Sequence, residues 1–111
     1  MKEYKYPAEY AREKLNYSRT GFYAAIVRGY IRAEGPPGDR YVWLPFKIDP
    51  EAEYYTAGMA AEALGYEPNY ITMLCRKQNR GMKIKAVMVG NNYRIPDTEV
   101  DRIINERMKN K

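Results

Sequence analysis

The chain has 111 residues, 45% of them apolar and 30% charged, which allows one ordinary domain or two small ones and supports a packed core rather than a disordered chain. It has no histidine and one cysteine, Cys75, so intrachain disulfides, zinc sites built from cysteines or from cysteine plus histidine, and catalysis by imidazole are excluded. Nineteen Lys and Arg against fourteen Asp and Glu give a net charge of +5, a balance that leans toward a polyanionic partner.

In chain order, residues 6–17 open a first helix, and Ser18 caps a second that runs to about Arg28 or Gly29. Phe22, Ala25 and Ile26 keep the i, i+3, i+4 spacing of a buried face. Arg19, Thr20, Tyr23, Val27 and Arg28 then look outward. Tyr30-Ile31-Arg32-Ala33 and Val42-Trp43-Leu44-Pro45 read as two strands of a hairpin whose loop, residues 34–40, is long and carries Arg40.

The plan then repeats. Thr56 caps a short helix to about Leu64, and Gly65 suits the left-handed residue that ends it. Proline is well placed in a first helical turn, so Glu67-Pro68 restarts the chain as a helix from 68 to about 80. Ile71, Leu74 and Cys75 face its core side, which places Cys75 as a small core hydrophobe rather than a redox sensor. The opposite side carries Asn69, Thr72, Met73, Arg76 and Lys77, mostly donors and acceptors suited to base edges and phosphates. Residues 84–89 and 93–95 read as strands about a Gly90-Asn91-Asn92 turn. Asp97 or Thr98 caps a final helix with Val100, Ile103, Ile104 and Met108 on one stripe and Arg102, Arg107 and Lys109 left polar.

Shifting the chain by 49 positions lays Tyr6, Ala8, Ala11, Glu13, Leu15 and Tyr17 on the identical Tyr55, Ala57, Ala60, Glu62, Leu64 and Tyr66. The repeat predicts two copies, residues 1–53 and 54–111. The second is the more basic. Between Pro68 and Pro96 stand six cations, Arg76, Lys77, Arg80, Lys83, Lys85 and Arg94, and no acid, so that stretch makes a surface of one sign however it folds.

Two helices joined by a short turn and followed by a hairpin form a winged helix-turn-helix pattern. The run Tyr55-Thr-Ala-Gly-Met-Ala-Ala-Glu-Ala-Leu-Gly-Tyr66, the helix after it, and Val89-Gly-Asn-Asn-Tyr-Arg-Ile-Pro-Asp97 with an amphipathic helix behind resemble the excisionase and MerR-like winged helix-turn-helix family over residues 54–107. The resemblance implies a second helix in a major groove and a wing against the DNA backbone or minor groove. It assigns Asn69, Thr72, Arg76 and Lys77 to the helix contact and Asn91, Asn92 and Arg94 to the wing contact. The first copy departs from the pattern, with Trp43 where the wing arginine would stand and Asn16 in place of the turn glycine.

The expected fold is therefore mainly α with small β-hairpin wings, a tandem winged helix-turn-helix whose copies form an internal pseudo-dimer within a monomer. The expected function is sequence-specific binding of double-stranded DNA at two half-sites. The expected DNA-contacting residues are Asn69, Thr72, Met73, Arg76, Lys77, Arg80, Asn91, Asn92 and Arg94 in the second copy and Arg19, Thr20, Tyr23, Arg28 and Arg40 in the first. No catalytic residue, metal or cofactor is assigned. The family analogy points to a mobile-element protein, as an excisionase-like factor, a repressor in transcription regulation, or an accessory at a plasmid transfer origin in conjugation. Recombination or relaxosome proteins would be its partners.

One rival reading is a protein-interaction module that docks a partner through its tyrosines and has only a non-specific basic surface. A second is a nucleic-acid enzyme with a tyrosine nucleophile, which has no histidine or clustered carboxylates to assist it. No apolar run approaches the roughly 20 residues of a spanning helix and no signal region opens the chain, so a cytoplasmic protein without a membrane partner is expected.

Overall fold

The computed structural model describes residues 2–109. The chain divides into two units: Met1–Glu51 together with Val89–Asn92, and Ala52–Met88 together with Tyr93–Lys111.

The first unit opens with β1 (Tyr4–Pro7) and continues through α1 (Ala8–Lys14) and α2 (Arg19–Val27) to β2 (Arg32–Glu34) and β3 (Tyr41–Leu44). Its sheet has the order β1-β3-β2, and both β1 and β2 pair antiparallel with β3, placing Lys5 and Arg32 on either side of Trp43. Ser18 caps α2 by accepting from Gly21 N at 3.0 Å. Asn16 turns the link between the helices with φ +58°, so asparagine supplies the left-handed residue that glycine supplies elsewhere. Ala8, Ala11, Leu15, Phe22, Ile31, Val42 and Leu44 are buried, and Phe22 meets the rings of Tyr17 and Tyr23 edge-on.

The second half of the chain repeats the order with β4 (Tyr54–Tyr55), α3 (Ala57–Leu64), α4 (Pro68–Arg76), β5 (Val87–Val89) and β6 (Asn92–Pro96), then adds α5 (Asp97–Lys109). The sheet order β4-β6-β5 matches that of the first unit. Thr56 caps α3 by accepting from Met59 N, and Gly65 ends it at φ +72°. Pro68 sits in the first turn of α4, where it costs no intrahelical bond. Ala60, Ala61, Leu64, Ile71, Leu74, Cys75, Ile84, Ile95, Val100 and Ile103 form one buried cluster.

The structure corrects the expectation of a mainly α tandem winged helix-turn-helix closed into a pseudo-dimer. It has five helices and two three-stranded antiparallel sheets, with 43% helix and 21% strand. The difference lies in β1 and β4, which add a third strand to each hairpin. They have four residues and two, too few to make an alternation legible. Two further boundaries move. The second-copy recognition helix expected to reach 80 ends at Arg76, because Lys77 is extended at φ −150° and ψ 155°. The strand expected from 84 begins at Val87, because Ile84 N is bonded to Leu74 O at 3.1 Å instead of to a neighbouring strand.

Candidate nucleic-acid interface

α4 presents Asn69 and Arg76 to solvent and Thr72 partly. Thr72 donates back to Pro68 O at 3.2 Å, a local bond that a ligand group can replace. Met73 is different. It is half-buried against the apolar cluster of the second unit, so its side chain packs rather than reads.

Beyond α4 the backbone carries Lys77, Arg80, Lys83 and Lys85, all exposed. With Arg76 they make five cations, and among the described residues none of the five has an acid in ion-pair contact. The nearby carboxylate of Glu99 is engaged in holding this segment. Glu99 accepts from Lys85 N at 2.8 Å and from Arg102 Nε at 2.9 Å, while Arg102 Nη2 donates to Lys83 O at 2.8 Å. The α5 pair thus clamps the returning chain at two successive points. The guanidinium of Arg102, followed by the Lys85 N–H, holds the Glu99 carboxyl below its ordinary 4.5 against the opposing effect of burial. Sequence reasoning leaves Arg102 as a solvated residue; its spacing of three from Glu99 is the available signal.

The wing residues fare differently. Arg94 is 8% exposed and donates to Tyr93 O at 3.0 Å, so the expected wing arginine is buried. Asn91 and Asn92 are exposed, but they count with the first unit, where Tyr17 OH donates to Val89 O at 2.8 Å. A side chain at Gly90 would come within 3.3 Å of Tyr30 Cβ.

On α2, Arg19 is exposed and pairs with Glu9 at 3.3 Å, and Glu9 also pairs with Arg12. Thr20 and Arg28 are exposed and Tyr23 is half-buried, with the Arg40 guanidinium 5.8 Å from the Tyr23 ring centre. Arg40 also donates to Gly35 O at 3.3 Å. Arg19 and Arg40 are therefore partly satisfied within the fold, unlike the cations beyond α4.

Cys75 is buried, and burial pushes its thiol up to about 11, the behaviour of a core residue. Among the described residues no group of three or more Cys, Asp or Glu stands close enough to hold a metal ion, and no helix is long and apolar enough to cross a membrane.

No family model matches the chain, and neither the curated proteins nor the solved structures contain a match.

Proposed function

We propose that the chain binds double-stranded DNA in a sequence-specific manner, with α4 at base edges and residues 77–85 on the phosphate backbone. The observation that carries this reading is the run of Arg76, Lys77, Arg80, Lys83 and Lys85, exposed and, among the described residues, without an acid in ion-pair contact, following a helix whose outer side carries Asn69 and Thr72. Phosphate neutralisation by such a cluster supplies affinity, and a few base-edge contacts supply specificity. The contact set excludes Arg94 and centres on Asn69, Thr72, Arg76, Lys77 and Arg80.

The resemblance to the excisionase and MerR-like family supports a role in a mobile element, as an excision factor, a repressor or a transfer-origin accessory. No catalytic step is assigned. The site should contain two unequal half-sites, because α2 carries Arg19, Thr20, Tyr23 and Arg28 where α4 and its cap carry Pro68, Asn69, Thr72 and Lys77.

Selection of bound sequences from a random duplex library at low and high salt tests the proposal. A recovered motif is the expected outcome. Arg76→Ala should then weaken binding by about 1–3 kcal/mol and relax one position of the motif, as loss of a bidentate guanine contact does. Binding without a motif that disappears as salt rises would leave only a basic surface. A protein partner for the first unit would then be the better reading, and one observation favours it. Val27 and Tyr30 are 83% and 51% exposed at the positions where the second unit has Arg76 and Asn79, an apolar surface in place of a polar one.

A further inference from the structure

The chain leaves α4 through extended Lys77 and reverses direction within a few residues. Asn79 N donates to Met82 O and Met82 N to Asn79 O, both at 2.9 Å, so Arg80 and Gly81 are the central pair of a two-residue hairpin turn. Their φ angles are +52° and +79°. This is the arrangement for which Asn-Gly and Asp-Gly are selected, because both central residues must be left-handed. Arginine at the first of them crowds its own Cβ against the backbone. Packing does not ask for it, since Arg80 is exposed. A strained conformation retained by a long cationic side chain points to a use for that side chain.

The turn is firmly mounted. Lys77 N donates to Met73 O at 2.8 Å and Ile84 N to Leu74 O at 3.1 Å, and Asn79 Nδ2 reaches Tyr70 OH at 3.4 Å. Lys77 precedes the turn and Lys83 follows it, both exposed.

We propose that Arg80 enters the minor groove of duplex DNA while Lys77 and Lys83 meet the phosphates along its two rims. This rests on the DNA-binding reading above and adds a second groove to it. A two-residue turn presents one side chain on a narrow support, which suits a groove about 6 Å wide. Narrow A·T-rich minor grooves concentrate negative potential and draw in arginine. The amino group of guanine projects into the same groove, so A·T pairs beside the α4 motif should be preferred. The other hairpin does not compete for this role, since its arginine, Arg94, is buried.

The test uses the full chain and the duplex recovered by selection, with the pairs flanking the motif made A·T, G·C or inosine·C. Inosine keeps the major-groove edge of guanine and lacks its minor-groove amino group. The wild type should bind the A·T and inosine·C duplexes alike and the G·C duplex about 10-fold more weakly, the scale of one unfavourable pair. Arg80→Gly and Arg80→Asn, both at ease with positive φ, should unfold at or above the wild-type temperature and bind the three duplexes equally. Equal wild-type binding to inosine·C and G·C, or a preference that survives both substitutions, overturns the minor-groove role while leaving DNA binding intact. Failure of the DNA-binding reading looks different: no motif emerges, wild type and variants lose binding together as salt rises, and the role of Arg80 falls with it.

Discussion

Gly65 and Asn16 stand 49 positions apart and make the same left-handed turn, at φ +72° and +58°. Space does not distinguish them, because a Cβ at Gly65 would meet nothing within 4 Å. The cost of a side chain there is conformational alone, and asparagine bears it better than alanine. Gly65→Ala should therefore destabilise the chain by about 1 kcal/mol, whereas Asn16→Gly should change stability by less than about 0.5 kcal/mol. Denaturant melts of the two variants read this directly. Equal losses would mean that Asn16 contributes through its side chain. Features of this local kind are legible in the sequence. The Ser18 and Thr56 caps, the Gly65 turn and the buried register of Ile71, Leu74 and Cys75 each depend on residues within one or two turns. The fate of Arg94 is not legible there, because its burial is decided by how a strand seats in its sheet.

At the scale of elements, α5 does more than cover the core with Val100 and Ile103. Its Glu99–Arg102 pair fixes Lys83 O and Lys85 N, so the basic segment is held by a helix that carries none of its exposed cations. The Glu99 carboxyl has its folded value below the ordinary 4.5, so the stabilisation it brings is complete above that pH and lost as pH falls through the folded value. Thermal unfolding of the wild type followed from neutral pH down through 4.5 should register this loss, and Glu99→Gln should flatten it. At neutral pH the same substitution should cost about 1 kcal/mol, since Gln still accepts from Lys85 N and the partly exposed Arg102 is screened by water. An unchanged acid limb in Glu99→Gln would assign the loss to other carboxylates. The short strands β1 and β4 escape sequence reasoning at this scale. Their tyrosines suit helix packing equally well, and only pairing with β3 and β6, some forty residues on, makes them strands.

At the scale of the whole molecule, the repeat in the sequence and the units in the structure do not coincide. The helix pairs keep the 49-residue offset, but Val89–Asn92, encoded in the second copy, count with the first unit. A fragment of residues 1–53 should consequently be deficient. It loses the hydrogen bond from Tyr17 OH to Val89 O, worth about 1 kcal/mol, together with the rest of Val89–Asn92, in a unit of only about fifty residues. Circular dichroism of that fragment should show reduced helix and no cooperative melt. A cooperative melt equal to that of the full chain would mean that the four residues are dispensable. The interleaving also bears on how such a chain can be inherited. A genetic exchange that moved the first copy alone into another protein would leave Val89–Asn92 behind, so a cut at the repeat boundary is not a cut between the units.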